Sequence, residues 1–235
     1  MGMRSLGLAA LALALLMGAA ALAAPVTVSV TFAGAPEKLD GLTAYFYSAS
    51  GLAGTASISG NATSISLEPG VYYMKVTGSK TAVLLLVDTT QATSYTLDFS
   101  QGFIGVNATV KGFPGSVDYR VELGGMNATT SSKYALYTFN ARPIKVFFPE
   151  QLLFPAIFGY RLKAVTVDGA NATNGFTLST AGMHQVTAEY ELSTPNLWLV
   201  AAAVVLVIVV AVLLARRHAT GVRAAAQLLQ SEWVE

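Results

Sequence analysis

The chain has 235 residues, of which 53% are hydrophobic and only 11% are charged, whereas about 25% of the residues of an average soluble domain are charged. The formal net charge is +1 and the basic residues form no stripe, which argues against nucleic acid as a partner. Because the chain contains no cysteine, disulfides, thiolate metal ligands and a cysteine nucleophile are excluded.

The first 24 residues have the layout of a signal peptide. Arg4 precedes a long run of Ala and Leu, and small residues stand at Ala21 and Ala23, as signal peptidase requires. Cleavage is predicted after Ala23, because a cut one residue later would place Pro25 beside the scissile bond. Export is therefore expected, with residues 1–23 as the signal peptide, and an uncleaved N-terminal anchor is the alternative.

The following part alternates apolar and polar residues with a period of two. In the run "VTVSVTF", Val26, Val28, Val30 and Phe32 share one face, which is the pattern of a half-buried strand. Similar runs follow as "LTAYFY", "ATSISL", "VYYMKVT", "TAVLLLV" and "TSYTLDF", separated by turn-forming residues. About seven strands at this spacing are typical of a small β-sandwich, which is predicted for residues 24–101.

A resemblance to a known group of modules lies in this part of the chain. The stretches "VTVSVTFAGAPEKLDGLTAYFYSASG" and "SISLEPGVYYMKVTG" contain a strand, a small-residue turn, a strand and then Leu-x-Pro-Gly-x-Tyr, from Leu67 to Tyr72. This order resembles the prealbumin-like modules of the carboxypeptidase-regulatory and PEGA-type groups. The resemblance implies a prealbumin-like sandwich and no particular activity.

The second half again consists of alternating runs joined by Gly, Asn, Asp and Pro. They are "VNATVKG", "SVDYRVEL", "KYALYTF", "RPIKVFF", "YRLKAVTV" and "MHQVTAEYEL", and they predict a second antiparallel sandwich over residues 102–193. The stretch from Gly159 to Leu192 is similar to the ends of Ig-like repeats in prokaryotic surface proteins. That resemblance implies a spacer or a binding platform.

The C-terminal part predicts a membrane anchor. Residues 197–215 carry no charge and at about 1.5 Å per residue could cross a hydrocarbon core of about 30 Å. Trp198 would lie at the outer membrane interface, and Arg216 and Arg217 at the cytoplasmic one. Residues 216–235 would form a cytoplasmic tail, either solvated or docked on anionic lipid or a partner.

These observations predict an all-β fold of two small antiparallel β-sandwich domains followed by a single C-terminal transmembrane helix. The predicted location is the cell membrane, as a single-pass type I protein whose N-terminal domains are extracellular. The lipid bilayer would be one partner, through that one helix.

Four Asn-Ala-Thr sequons predict N-glycosylation, at Asn61, Asn107, Asn127 and Asn171. Asn61, Asn127 and Asn171 are expected in loops, whereas Asn107 is expected on a strand with its side chain outward. Many sequons together with no disulfides suit an archaeal cell surface, so an archaeal glycoprotein is expected.

Catalysis and metal binding find little support in the sequence. His184 is the one histidine of the predicted outer region and is interpreted as a structural or surface residue. The loop from Asp168 to Gly175 offers oxygen ligands, but its spacing differs from that of an EF-hand and favours a plain hairpin. Scattered carboxylates leave glycosidase chemistry as a remote option. We therefore expect no enzyme activity, no cofactor and no metal site.

The stretch "FFPEQLLFPAIF", residues 147–158, is too short and too rich in proline to cross a bilayer. In one interpretation its rings lie buried between the two sheets. In the other it is an exposed apolar surface that contacts a partner. The predicted contact residues are Phe147, Phe148, Leu152, Leu153, Phe154 and Phe158.

The sequence thus predicts a non-enzymatic cell-surface protein whose sandwiches serve adhesion, envelope structure or binding of a protein or glycan partner. The alternative is an accessory subunit of a membrane complex, such as a transporter, a secretion apparatus or a respiratory enzyme.

Overall fold

The computed structural model of the protein describes residues 24–153, 159–193 and 201–217. Several predictions concern residues outside these ranges, namely the signal peptide at 1–23, Phe154, Phe158, Trp198 and the tail beyond Arg217.

Seventeen strands form the described part before the helix. The first seven are β1 (Val26–Ala33), β2 (Thr43–Ser48), β3 (Gly51–Ser57), β4 (Ala62–Leu67), β5 (Val71–Thr77), β6 (Thr81–Asp88) and β7 (Ser94–Asp98). The remaining ten are β8 (Ile104–Lys111), β9 (Asp118–Leu123), β10 (Met126–Ser131), β11 (Ala135–Phe139), β12 (Ile144–Phe147), β13 (Gln151–Leu153), β14 (Gly159–Val167), β15 (Ala170–Ala172), β16 (Phe176–Leu178) and β17 (Gly182–Ser193).

The strands build three sheets. The largest has ten strands in the order β13-β14-β17-β8-β11-β6-β5-β2-β3, with β15 also paired to β14. A three-stranded sheet has the order β4-β1-β7, and a four-stranded sheet has the order β10-β9-β12-β16. Each smaller sheet packs against part of the ten-stranded sheet, so the prediction of a β-sandwich architecture is confirmed.

Two hydrophobic cores lie on opposite faces of the ten-stranded sheet. The first core is formed with the three-stranded sheet and contains Val28, Phe46 and Met74. The second core is formed with the four-stranded sheet and contains Tyr119 and Val186. The alternation seen in the sequence therefore does correspond to one buried and one outward face in strands such as β1, whose Val28 and Val30 are fully buried.

Strand β6 supplies side chains to both cores. Val83 and Leu85 point into the first core, whereas Ala82 and Leu84 point into the second. Because successive side chains of a strand point to opposite faces, an unbroken apolar run is what a strand covered on both faces needs.

The pairing of the sheets differs from the predicted antiparallel pattern. Three pairings are parallel: β1 with β7, β6 with β11, and β8 with β17. The parallel β6–β11 pair joins the two halves of the chain in one sheet. The predicted division at residues 101/102 falls in the connection between β7 and β8 and stays a prediction.

The predicted C-terminal transmembrane helix is wrong. One helix, α1, covers residues 201–217, and within the described ranges no helix is both long enough and apolar enough to cross a membrane.

Candidate binding face

Among the described residues, no second sheet covers one part of the ten-stranded sheet. The four-stranded sheet covers β6, β8, β11, β14 and β17, and its edge strand β10 stops above β5, where β10 and β5 are in contact. Beyond β10, the same face of β5, β2 and β3 is open. This open face carries the side chains of Tyr45, Tyr47, Leu52, Val71 and Tyr73.

Alternation along the strands places these five side chains together. Their neighbours Ala44, Phe46, Tyr72 and Met74 are buried in the first core on the other side of the sheet. The register pairs Tyr47 with Tyr73 and with Leu52, so these three lie in one row across the sheet. An outward sheet face normally carries polar residues, and an aromatic and aliphatic row is therefore unusual there.

The open face is accessible and partly ordered by aromatic stacking. The exposed fractions are 41% for Tyr45, 58% for Leu52 and 45% for Val71. The Tyr47 and Tyr73 rings stack, with centroids 4.9 Å apart and planes 16° from parallel. Burial, and then the nearby Tyr47 hydroxyl, raise the pKa of Tyr73, so its phenol stays protonated.

Strand β10 forms a wall beside the open face. A cavity of about 350 Å³ lies where Tyr47 and Tyr73 meet Gly125, Met126 and Asn127. At the foot of the wall, Lys75 Nζ donates a 2.6 Å hydrogen bond to the Thr129 carbonyl oxygen. Burial lowers the pKa of Lys75, although Asp118 and Tyr134 oppose this effect. The result is an apolar floor with a polar wall.

The predicted contact stretch is divided between core and surface. Phe148 is buried and stacks on Tyr119, with ring centroids 5.0 Å apart, so it packs in the second core and presents no ring to a partner. Phe147 is half-buried beneath the Arg120 guanidinium, which lies 4.1 Å from its ring centroid. Leu152 packs against the second core, and Leu153 is exposed.

Hydrogen bonds fix the start of this stretch to the fold. The Asn174 side chain accepts from the Phe148 amide and donates to the Phe148 carbonyl, both at 2.8 Å. The Tyr190 hydroxyl donates to the Pro149 carbonyl oxygen at 2.9 Å. These contacts imitate strand pairing after β12 ends, and they favour the core interpretation for residues 147–149.

All four sequon asparagines are exposed. Asn61 lies in a turn, as predicted, and Asn107 lies on β8 with its side chain outward, also as predicted. The loop prediction is wrong for Asn127 and Asn171, because they lie on β10 and β15. Glycosylation at the four sites stays a prediction.

His184 forms a small polar cluster with two neighbours. Its Nδ1 lies 2.8 Å from Asp168 Oδ2, and its Nε2 lies 3.2 Å from Thr180 Oγ1. Hydroxyl, imidazole and carboxylate in this order resemble a nucleophilic triad. However, Nε2 also lies 3.1 Å from the Thr180 carbonyl oxygen, which can only accept a hydrogen bond.

The contacts of His184 also affect its pKa. Burial opposes protonation, but the hydrogen bonds to Asp168 and to the Thr180 carbonyl outweigh it and raise the pKa of His184. Asp168, in turn, accepts a 2.8 Å bond from the Gln185 amide through its second oxygen. The cluster thus ties the β14–β15 turn to β17, in agreement with a structural histidine.

A larger cavity, of about 690 Å³, lies at one end of the first core. Its rim carries Asp98, Gln101, Asn140 and Arg142. Asp98 accepts hydrogen bonds from Ser100 and Gln101, so its carboxylate is engaged in the local turn. Asn140 is likewise engaged, because its side chain donates to the Leu86 carbonyl oxygen.

The predicted membrane-interface residues Arg216 and Arg217 are the last two residues of α1, and both are exposed. The membrane-interface role predicted for them depended on the predicted span, and within the described residues no helix is long and apolar enough for one.

The open face was not predicted from the sequence, although a signal for it exists. In "LTAYFY", Tyr45, Phe46 and Tyr47 are consecutive, so apolar side chains fall on both faces of the strand. A strand with one solvated face would alternate with polar residues. The missing alternation indicates a second apolar surface.

Comparison with known proteins assigns no family. No family model matches the chain, and no curated protein matches it. The chain is similar to a streptococcal ancillary pilin, with 11% identity and a TM-score of 0.25 over 71% of this chain and 69% of that one. It is also similar to the shaft pilin SpaA from Lactobacillus rhamnosus GG, with 9% identity and a TM-score of 0.23 over 70% and 98%.

A third similar structure is the Bacillus anthracis TIE protein, with 10% identity and a TM-score of 0.24. The match covers 72% of this chain and 34% of that one. At such TM-scores these likenesses carry no argument about fold or function, and the β-sandwich assignment rests on the stacked sheets of the chain itself. None of these comparisons supports the prealbumin-like, PEGA-type or archaeal predictions.

Proposed function

We propose that this is an exported, non-enzymatic surface protein that binds another protein through its open face. The observation that carries the proposal is the row of Tyr45, Tyr47, Tyr73, Leu52 and Val71 on a face that no sheet of the described residues covers. Burying such a row is favourable by about 25 cal/mol per Å² of apolar surface removed from water.

The composition of the open face favours a protein over a glycan partner. Tyrosines supply large contact area at low entropic cost and are enriched at protein interfaces. Leu52 and Val71 add aliphatic surface, which offers no ring face on which a sugar could stack. The Lys75 amine, which is bonded to the Thr129 carbonyl oxygen, gives the apolar centre a polar rim, the usual anatomy of a protein interface.

An extracellular location is supported by two features of the sequence. The signal-peptide layout of residues 1–23 directs export, and all four sequon asparagines are exposed on the fold. The proposal also includes an archaeal origin and a relationship to prealbumin-like and Ig-like modules.

Site-specific photo-crosslinking in the native cells tests the proposal. We expect a photoreactive phenylalanine analogue at position 45 to crosslink the full chain to a second protein. The same analogue at position 29 is the control, because Ser29 is exposed on the outer face of the three-stranded sheet and should give no such product. A product common to both positions, or none from position 45, would contradict binding through the open face.

The identity of the crosslinked protein separates two roles. An envelope or surface protein would support adhesion or envelope structure, whereas a subunit of a transporter, secretion apparatus or respiratory enzyme would make this chain an accessory subunit. A crosslink to glycan material alone would replace the protein partner by a carbohydrate.

A further inference from the structure

Edge strands of a sheet carry unpaired backbone groups that can pair with another chain, and proteins protect them in recognisable ways. Charged residues, proline, bulges and very short strands are the usual devices. Several edges of this fold use them. β7 ends with Asp98, β13 and β16 have three residues each, and a register irregularity disturbs the pairing of β3 with β2.

Strand β10 is an edge whose own residues carry none of these devices, although the Lys75 amine from β5 occupies its outward Thr129 carbonyl oxygen. It is the last strand of the four-stranded sheet, and its one strand partner among the described residues is β9. Its six residues, "MNATTS", include no charge and no proline, and its register with β9 is regular. It carries the sequon of Asn127.

The backbone of β10 is turned outward at Asn127. Gly124 and Gly125 form a two-residue hairpin turn between Leu123 and Met126, so Met126 exchanges hydrogen bonds with β9 and the next residue does not. The Thr129 carbonyl agrees with this alternation of bonded and unbonded residues, because it points away from β9 and accepts a hydrogen bond from Lys75. The amide and carbonyl of Asn127 therefore face away from the sheet.

Strand β15 repeats the same arrangement in a different sheet. It is an uncharged edge strand of three residues, so short length is the one usual device that it has, and its one strand partner among the described residues is β14. Asp168 and Gly169 form the two-residue turn before it. Asn171 is again the second residue after the turn. Its backbone groups therefore also point away from the partner strand.

The sequon at Asn107 lies in the opposite situation. Asn107 is equally exposed, but its strand β8 pairs with β11 on one side and β17 on the other. Its side-chain amide donates to Gln185 Oε1 at 3.1 Å. A glycan there would cover a sheet face and no free edge.

We propose that N-glycans on Asn127 and Asn171 cap the free edges of β10 and β15 and prevent the strands of other copies from pairing there. The proposal rests on the export and glycosylation within the proposed function. A branched sugar attached beside outward amide and carbonyl groups keeps an incoming strand beyond hydrogen-bonding distance. It thus takes the role that lysine or proline has on other edges.

The test compares variants of the full chain produced in N-glycosylating cells. Glycopeptide mass spectrometry measures occupancy, and sedimentation measures the associated fraction. The N127Q/N171Q double variant should give a several-fold larger associated fraction than wild type, with new hydrogen-exchange protection of the β10 amides. The N107Q variant should match wild type, and any association through α1 is common to all chains.

A second pair of variants distinguishes edge capping from a general effect of glycans on solubility. The N127K/N171K variant has a lysine charge at each edge in place of the sugar. Its associated fraction should be as small as that of the wild-type chain. The proposal is overturned if Asn127 and Asn171 carry no glycan, if N107Q associates as strongly as the double glutamine variant, or if lysine fails to restore the wild-type fraction. These measurements do not depend on the native location or partner of the chain. The edge-capping proposal can therefore fail while the crosslinking result supports the proposed function, and the proposed function can fail while edge capping is supported.

Discussion

The ion pair between His184 and Asp168 is the contact whose strength depends most directly on pH. Burial opposes protonation of His184, but hydrogen bonds to Asp168 and Thr180 outweigh it and raise the pKa of His184. The protonated imidazole therefore stabilises the fold below the unfolded pKa of about 6.5. This stabilisation is lost as pH rises through the folded pKa. The bond to His184 is the main cause that lowers the pKa of Asp168. The ionised Asp168 carboxylate therefore stabilises the fold above an unfolded pKa of about 3.9. This stabilisation is lost as pH falls through the folded pKa.

The His184→Gln substitution tests this dependence. The wild-type chain should be more stable than the variant by up to about 1 kcal/mol near pH 6, and this difference should shrink by about pH 9. Urea unfolding at the two pH values measures it. Lys163→Gln is the control, because it breaks the exposed Lys163–Glu189 pair and leaves no group that titrates in this range. A difference that is equal or larger at the higher pH would contradict the assignment.

Strand β6 is the element that joins the two cores. Leu85 is buried in the first core and Leu84 in the second, and the exposed fraction of each side chain is at most 1%. The strand also pairs with β5 in one half of the chain and with β11 in the other. The two halves should therefore lose their structure together.

Two neighbouring substitutions test this coupling. Leu84→Ala and Leu85→Ala each remove a buried side chain at a cost of about 2–5 kcal/mol, and each should lower the midpoint of one shared unfolding transition. Hydrogen exchange during unfolding, followed on peptides from β1 and β12, measures the two cores separately. Independent transitions, with only β12 affected by Leu84→Ala, would contradict the coupling.

The elements differ in how well the sequence predicts them. Strands with apolar residues at every second position, such as β1 and β5, follow directly from the pattern. β3 and β10 contain mainly small and polar residues, and β13, β15 and β16 are only three residues long, so tertiary pairing creates them. The apolar run in α1 predicted a membrane span by composition, whereas no helix of the described residues is long and apolar enough for one.

At the scale of the molecule, the offset between the two smaller sheets decides what the surface offers. They pack on opposite faces of the ten-stranded sheet, so each leaves part of that sheet uncovered, and the part beside β10 carries the open face. The sequence could not predict this offset, because the pairing of β6 with β11 joins residues about fifty positions apart and leaves no local pattern. The unbroken run "TAVLLLV" shows only that β6 is covered on both faces.

The absence of cysteine from the sequence allows one measurement that tests location and binding together. A single cysteine is placed in the full chain at Ser29, Tyr45 or Met74, and intact native cells and purified protein are treated with a membrane-impermeant maleimide. Ser29 and Tyr45 are exposed, whereas Met74 is fully buried and should react only after denaturation.

We predict that S29C reacts at the same rate on cells and in purified protein, because its surface is outside and free. Y45C should react more slowly on cells than in purified protein, because a partner covers the open face. An S29C chain that reacts only after lysis would contradict export, and equal rates for Y45C in both settings would contradict a partner on the open face.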